Sequence, residues 1–196
     1  AAKAVAVAKE AGIRPIMITG DHQDTAEAIA REVGLIDIKS NLVLSSSDLE
    51  KLSDDEIKKK LSNIAVIARA LPQDKSRMVS IIESMDLVVG MTGDGVNDAP
   101  ALKKANVGFA MGSGTEVAKE AADIVILDNN ILSISKAILY GRTIFKSIRK
   151  FIIYQLTVNM CALVLSIVGS FIGVSTPITI VQMLWLNMIM DTFAGV

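Results

Sequence analysis

The chain has 196 residues, of which 51% are hydrophobic, and its mean hydropathy of +0.47 is high for a soluble protein. Most of the apolar excess follows Phe151, which indicates a globular part joined to membrane helices. The formal net charge of −1 gives no support for a nucleic-acid partner, because such proteins usually carry a basic patch. A single cysteine, Cys161, excludes an internal disulfide framework.

Helix and strand patterns alternate from the start of the chain to about residue 130, which predicts a parallel α/β sheet with right-handed crossovers. A predicted helix over residues 1–11 ends at Gly12, so we expect the sequence to begin inside a domain. The predicted strands are 16–18, 64–68, 87–91, 107–111 and 123–128. The predicted helices are 24–33, short charged ones within 45–61, 75–85, one opening near Pro100, and 114–122.

Two predicted strands end in the same tripeptide, Thr-Gly-Asp. The first copy is Thr19-Gly20-Asp21, and the N-terminus of the helix that follows can help to hold an anion. The second lies in Met91-Thr-Gly-Asp-Gly-Val-Asn-Asp-Ala-Pro100. Glycine, Asn and Asp are ordinary turn formers, so one copy alone would more often be a simple turn. Two copies at strand ends indicate two walls of one phosphate site, because ligands of parallel sheets bind at the carboxyl ends of strands.

The second copy also has the composition of a magnesium site. Asp94 lies between two glycines, which let a ligand approach the backbone closely, and Asn97 and Asp98 follow. Mg²⁺ prefers one or two carboxylates and completes its shell with waters and phosphate oxygens. Lys75, which follows the strand 64–68, is by itself either a solubilising surface residue or a cation for the same site.

Together these segments resemble the phosphorylation domain of P-type cation-transporting ATPases, a membrane-bound branch of the haloacid-dehalogenase-like fold. The resemblance rests on Gly93–Pro100, Thr19–Asp21, Lys75 in Ala68-Arg-Ala-Leu-Pro-Gln-Asp-Lys75, and the run 101–112, and it extends over essentially the whole chain. It implies a partial haloacid-dehalogenase-like, Rossmann-type parallel sheet, followed by a long stalk helix and two transmembrane helices. The expected boundaries are 1–130 for the domain, 131–150 for the stalk, and 151–174 and 178–196 for the membrane helices.

The resemblance also implies the chemistry. ATP is the expected substrate and Mg²⁺ the expected cofactor, with Asp94 as the metal ligand, Asp98 in support, and Lys75 on the transferred phosphoryl group. The implied catalytic set is Thr19, Gly20, Asp21, Lys75, Asp94, Asn97 and Asp98, of which Thr19, Gly20, Asp21, Lys75 and Asn97 bind the nucleotide phosphate.

One motif of the family is missing from this chain. These ATPases carry the phosphate on an aspartate in Asp-Lys-Thr-Gly-Thr, whereas here Asp74-Lys75 is followed by Ser76. The nucleotide-binding domain that the family inserts after that motif is also missing. The expected partners are therefore the remaining domains of the same pump, together with ATP and the lipid bilayer.

The last part of the sequence has the composition of membrane helices. A predicted amphipathic helix over 131–150 ends in Lys146, Arg149 and Lys150, a basic cluster that marks the cytosolic side. Residues 151–174 carry no charge and are long enough to cross a hydrocarbon core of about 30 Å. After a break at Pro177, the stretch 178–196 is expected to return and to stop within the second helix. We therefore expect a multi-pass membrane protein in a plasma membrane or a bacterial inner membrane, with residues 1–150 on the cytosolic side.

Three oxygen-bearing side chains are expected near the middle of that membrane. Helical rise places Asn159, Asn187 and Asp191 about 12, 16 and 10 Å from the cytosolic face. For the two asparagines alone, hydrogen bonding between helices would be as good an explanation as ion binding. A carboxylate at this depth instead marks an ion path, and oxygen ligands suit Ca²⁺ if other helices add more.

The runs Tyr154–Asn159 and Val181–Ala194 most resemble plasma-membrane-type calcium ATPases and their bacterial relatives. That resemblance implies calcium ligation by the two asparagines and the aspartate. Ala162 stands where two-ion pumps have a glutamate, which implies one calcium per cycle. Val96 and Ala99 stand where animal members tend to have Thr and Gly, so a bacterial or other microbial relative fits the sequence at least as well. The alternatives are a pump for another cation, a membrane-tethered phosphatase of the same superfamily, and a non-enzymatic two-helix scaffold.

Overall fold

The computed structural model describes residues 1–36, 42–174 and 178–194, with side chains up to residue 190 in the last range. The chain divides into two compact units, 1–137 and 138–196. The first unit contains the α/β fold, and the second is helical. The predicted break at Pro177 and the last two positions of the predicted second membrane helix lie outside the described residues.

The first half of the α/β unit is a three-stranded parallel sheet with strand order β1-β3-β2. Its strands are β1 (Met17–Ile18), β2 (Leu42–Ser45) and β3 (Ile64–Ala68), and its helices are α1 (Ala2–Glu10), α2 (Gln23–Glu32), α3 (Ser46–Lys51), α4 (Asp54–Lys60) and α5 (Pro72–Glu83). All five residues of β3 are buried. This is the pattern of a central parallel strand covered by helices on both faces.

Two apolar clusters meet at β3. One contains Ile64 and Ile67 with side chains of α3, α4 and α5, including Leu49, Ile57 and Met78. The other joins the remaining residues of β3 to the small alanines of α2, Ala26 and Ala30. Because alanine has little bulk, α2 approaches its side of the sheet closely, and the end of β3 is held rigidly between the two layers.

The second half of the unit is another parallel sheet, with order β4-β5-β6. It comprises β4 (Gly90–Gly93), β5 (Val107–Met111) and β6 (Ile124–Ile126), with a 3₁₀ turn over Val96–Asp98, α6 (Ala99–Lys104) and α7 (Glu116–Ala121). The two halves are joined where Val79 of α5 packs with Ala101 of α6 and with Ala105, the residue after that helix. This contact brings the start of α5 next to the loop that follows β4.

The sequence predicted one continuous sheet, and the division into two sheets differs from that prediction. Strand β4 also begins three residues later than predicted, at Gly90. Its partner β5 starts at Val107, which pairs with Gly90, so the residues before Val89 have no ladder to join. Val88 consequently has 83% of its surface exposed. Strand β2 was missed altogether, because Ser45 was assigned to the helix start that follows it.

Side-chain capping marks the start of several helices. In α3 and α4 the N-cap serines, Ser45 and Ser53, exchange hydrogen bonds with Asp48 and Glu56 three residues later, which is the capping box that their sequences predict. The start of α5 was predicted three residues late. It begins at Pro72, whose fixed φ suits the first turn of a helix, so Lys75 lies inside that first turn.

Two helices follow the second sheet. Helix α8 (Ile131–Ile172) is continuous over 42 residues, and α9 (Ile180–Ala194) follows. Among the described residues, α8 is the one helix long and apolar enough to cross a membrane, whereas the apolar run of α9 is shorter.

Hydroxyl groups within α8 bond to its own backbone. Thr157, Ser166 and Ser170 each donate to the carbonyl four residues earlier, at 2.7 to 2.9 Å. This arrangement satisfies their polar atoms without another helix and suits an apolar surrounding. Helix α9 begins with a reciprocal cap, in which Gln182 N donates to Thr179 Oγ and Thr179 N donates to Gln182 Oε1.

Candidate functional site

The loop after β4 is organised around Asp98. The backbone N–H groups of Asp94 and Gly95 both donate to Asp98 Oδ2, at 3.2 and 3.1 Å. Asp98 itself is only 7% exposed. A buried carboxylate that accepts several hydrogen bonds holds the loop in one conformation, and it leaves the side chain of Asp94 directed by a fixed backbone.

Gly93 is required by the closeness of Asp98. A Cβ placed on Gly93 would lie 2.4 Å from Asp98 Cβ and 2.7 Å from its Cγ. No side chain fits in that space, so the first glycine of the Gly-Asp-Gly motif makes room for the carboxylate that organises the loop.

Lys75 completes the buried part of the site. Its Nζ donates to Asp98 Oδ1 at 2.5 Å, and the two side chains are 16% and 9% exposed. The first turn of α5 supplies the lysine and the 3₁₀ turn supplies the aspartate, so the contact joins the two halves of the unit. Removing either partner of such a buried pair typically costs about 3–5 kcal/mol.

The hydrogen bonds to Asp98 change its titration. Burial raises the pKa of this carboxyl, but the bond and charge of Lys75, with the backbone N–H groups of Gly95 and Asp94, outweigh that effect and hold the pKa below its ordinary value. The carboxylate therefore stabilises the folded loop at pH values above about 4, the ordinary pKa of Asp. That stabilisation is lost as the pH falls through the depressed pKa.

We therefore expect acid to open the Asp94 loop, and we expect Asp98→Asn to remove most of that pH dependence. In the full-length protein, hydrogen exchange at the amides of Asp94 and Gly95, corrected for the intrinsic effect of pH, should show protection at pH 7 that declines only below about pH 4. In the variant, protection should already be low at pH 7. Asp55→Asn is the control, because Asp55 is exposed and its one ion pair among the described residues is with Lys58. Loss of protection in the wild type above pH 5 would contradict the assignment.

The remaining polar side chains of this loop are available to a ligand. Asp94 and Asn97 are both exposed, and within the described ranges neither side chain has a hydrogen bond or an ion pair. No group of three or more His, Cys, Asp or Glu side chains in the described part of the chain could hold a metal ion. A lone exposed carboxylate nevertheless fits Mg²⁺, which needs few protein ligands beside water and phosphate oxygens.

The Thr19–Asp21 turn has its own network. Thr19 Oγ donates to Asp21 Oδ2 at 2.9 Å, and the backbone bonds Thr19 N to Ile67 O and Arg69 N to Asp21 O fix the turn against the end of β3. Within residues 1–36, 42–174 and 178–190, no hydrogen bond or ion pair joins this turn to the Asp94 loop. The structure thus brings Lys75, Asp94 and Asp98 together, and it places Thr19, Gly20 and Asp21 at the end of the neighbouring sheet.

The three predicted ion ligands lie in the helical unit. Asn159 of α8 is exposed, and Asn187 of α9 is partly buried. Asp191 belongs to α9, but its side chain lies outside the described residues, so the predicted convergence of the three groups stays a prediction.

Sequence reasoning missed the loop between β5 and α7. Thr115 N donates to the backbone oxygen of Asp94 at 2.8 Å, and Gly114 lies directly against Asp94. The signal was present as Met111-Gly-Ser-Gly-Thr115, a glycine-rich turn at the carboxyl end of a strand.

These features define the class of protein. A protein-family model described as haloacid dehalogenase-like hydrolase matches residues 1–106, and a second model with the same description matches residues 84–138. The chain belongs to the haloacid dehalogenase-like hydrolase family, and the predicted fold class is confirmed.

Within that family, the predicted resemblance to P-type calcium-transporting ATPases is also confirmed. The chain is 48% identical over 187 residues to the probable plasma-membrane-type calcium-transporting ATPase 6 of Oryza sativa subsp. japonica, with 94% of this chain and 18% of the relative covered. It is 42% identical over 192 residues to calcium-transporting ATPase 1 of Lactococcus lactis, with 98% and 22% covered. The chain therefore spans about a fifth of the length of these curated relatives.

A solved structure of an ion-transporting ATPase is also similar to this chain. The crystal structure of a zinc-transporting PIB-type ATPase in its E2.Pi state matches with a TM-score of 0.66 and 28% identity, over 98% of this chain and 25% of that one. The match extends over the α/β unit and the helices, so the order of a haloacid-dehalogenase-like domain followed by apolar helices is shared with an ion-transporting ATPase.

Proposed function

We propose that this chain is part of an ATP-driven pump that moves calcium across a membrane through an aspartyl-phosphate intermediate, with one calcium per cycle. The observation that carries the proposal is the Lys75–Asp98–Asp94 arrangement in a chain that continues into a 42-residue helix with an uncharged second half. Relatives named as calcium-transporting ATPases match nearly all of the chain, which supports calcium as the transported ion.

The site residues divide the work of phosphoryl transfer. Lys75 Nζ has three hydrogens, of which one is used by Asp98, so the others remain for phosphoryl oxygens. Asp98 keeps this ammonium in place and organises the loop below Asp94. Asp94 would hold Mg²⁺, which when bound offsets the negative charge of the phosphate. Asn97 would donate to a phosphate oxygen, and ATP is the phosphate donor.

The nucleophile is proposed to come from another part of the polypeptide. Both candidate site turns follow edge strands, β1 and β4, each paired on one side only among the described strands. Strands of parallel sheets are normally buried between neighbours, yet Gly90 and Thr92 of β4 are exposed. A strand that carries the phosphorylated aspartate and pairs with these edges would bring its carboxylate next to Asp94 and the Thr19–Asp21 turn.

The ion site is proposed to lie in the helices. Asn159, Asn187 and Asp191 supply two amide oxygens and one carboxylate, and helices from the rest of the pump would supply the others that Ca²⁺ requires. Asn187 and Asp191 are four residues apart in α9 and so share one side of the helix. The proposed protein crosses the membrane more than once, in a plasma membrane or a bacterial inner membrane, with residues 1–150 on the cytosolic side.

Transport by vesicles that contain the full-length protein tests this function. We expect ATP- and Mg²⁺-dependent accumulation of Ca²⁺, with one calcium taken up per phosphoenzyme formed. Mn²⁺, Zn²⁺ and Na⁺ are the comparison ions, because the matching crystal structure is of a zinc-transporting ATPase. Accumulation of one of these in place of Ca²⁺ would identify a pump for another cation. Phosphate release without uptake of any ion would identify a membrane-tethered phosphatase.

A further inference from the structure

The loop Gly112–Thr115 lies against the backbone of Asp94, which also contacts Asp98. Thr115 N donates to Asp94 O at 2.8 Å, while Asp94 N donates to Asp98 Oδ2 at 3.2 Å. Both polar groups of the Asp94 backbone are therefore held, one by each neighbour. A backbone held at both its N–H and its C=O fixes the direction of the Asp94 Cα–Cβ bond, and a metal ligand needs such positioning.

Gly114 makes this contact possible. A Cβ at position 114 would lie 2.9 Å from Asp94 O and 3.0 Å from Asp94 Cα. Both atoms belong to the backbone, which cannot rotate away as a flexible side chain would. An alanine at this position would have to push Asp94 out of place.

The loop has its own anchor. Ser113 donates to Asn129 Oδ1 from its backbone N at 2.9 Å and from its Oγ at 3.1 Å, and Gly112 N donates to Ile126 O at 2.8 Å. Asn129 adopts a left-handed conformation, with φ of 50°. These bonds tie the loop to β6 and to the turn before α8, so the loop is a fixed support.

We propose that Gly114 and Thr115 are positioning residues that aim the carboxylate of Asp94 at the catalytic metal, with Asn129 as the anchor of their loop. The proposal rests on the proposed function, in which Asp94 is the magnesium ligand. None of the three residues touches the phosphate or the metal. They act only through the Asp94 backbone.

Thr115 allows a matched comparison. Thr115 caps α7 through its hydroxyl, and its φ of −65° is the value that proline adopts. Thr115→Pro and Thr115→Ala both lose the hydroxyl, but only the proline variant also loses the N–H that bonds Asp94. In the full-length pump we expect Thr115→Pro to raise the Mg²⁺ concentration for half-maximal phosphoenzyme formation about fivefold or more relative to Thr115→Ala. Gly114→Ala should raise it by a similar factor.

A second pair of variants distinguishes the positioning role from a general loss of stability. Asn129→Gly keeps the left-handed conformation but removes the acceptor for Ser113, whereas Asn129→Asp keeps both the conformation and an acceptor oxygen. We expect the glycine variant to raise the Mg²⁺ requirement about twofold to threefold, and the aspartate variant to restore it. A merely structural loss of stability would lower the yield of active pump without changing the Mg²⁺ requirement.

Hydrogen exchange supplies a readout that needs neither metal nor turnover. In the full-length protein without Mg²⁺ or nucleotide, the amides of Asp94 and Gly95 should exchange faster in Thr115→Pro and Gly114→Ala than in Thr115→Ala. Equal exchange and an equal Mg²⁺ requirement in these variants would overturn the positioning role. If Asp94→Asn itself left the Mg²⁺ requirement unchanged, the metal assignment would fail instead, so the two failures are distinguishable.

Discussion

Replacing Asp94 with Asn in the full-length pump is expected to lower Mg²⁺-dependent phosphoenzyme formation roughly a hundredfold or more. The substitution keeps the size of the side chain but removes the negative charge, and no other carboxylate of the loop is free, because Asp98 is occupied by Lys75 and two backbone N–H groups. The measurement is phosphoenzyme formed from labelled ATP over a range of Mg²⁺ concentrations.

Asp86→Asn is the matched control for that experiment. Asp86 is exposed and has a φ of 57°, a left-handed conformation that Asn tolerates well. It carries the same chemical change on the same half of the chain, and it should leave phosphorylation unaltered. Full activity of Asp94→Asn at ordinary Mg²⁺ concentrations would remove Asp94 from the metal site.

Replacing Asp191 with Ala is expected to abolish calcium-dependent phosphorylation from ATP. A carboxylate inside a membrane helix is costly and is kept where it serves an ion. Without it, the amides of Asn159 and Asn187 offer only neutral oxygens, and we expect the apparent calcium affinity to fall by at least a hundredfold. The measurement is phosphoenzyme formed from ATP as a function of free Ca²⁺.

Two comparisons show whether the Asp191 variant has lost only its ion site. Phosphorylation by inorganic phosphate in the absence of Ca²⁺ should persist, because that reaction uses only the α/β unit and its partner domains. Ser170→Ala is the control substitution, since within the described part of the chain Ser170 Oγ bonds to Ser166 O of its own helix and to no other helix. An Asp191→Ala variant with unchanged calcium dependence would count against the proposed ligand set.

Strands with a buried centre were well predicted: β3 is buried along its whole length, and β5 is buried at its three central residues. The bounds of β3 and β5 agree with the apolar runs 64–68 and 107–111, because a central strand is apolar from end to end and stops where polar residues begin. The run 87–91 is equally apolar, yet its first residues, Leu87 and Val88, are exposed and precede the paired strand β4, which begins at Gly90. Pairing depends on where the neighbouring strand begins, and this information lies in another part of the chain.

The same distinction applies to the site. Asp94 and Asp98 were singled out from a local motif and Lys75 only through the family resemblance, and the structure places Lys75 and the Asp94 backbone against Asp98. That Lys75 pairs with Asp98 depends on the packing of α5 against α6, which no local pattern encodes. The hydrogen bond from Thr115 N to Asp94 O was not predicted. It joins two loops 21 positions apart through backbone atoms, and a contact between backbone atoms leaves no motif in the sequence.

Among the described strands, β1 and β4 each have one unpaired edge, and these edges also affect how this stretch of polypeptide behaves when produced alone. An open strand edge presents a row of unused N–H and C=O groups, which neighbouring copies can satisfy by adding a strand of their own. With the exposed Leu87 and Val88 leading into β4, such self-association would have an apolar contribution as well. Isolated preparations should therefore precipitate in water, and joint production with a segment able to occupy both edges should keep the α/β unit in solution.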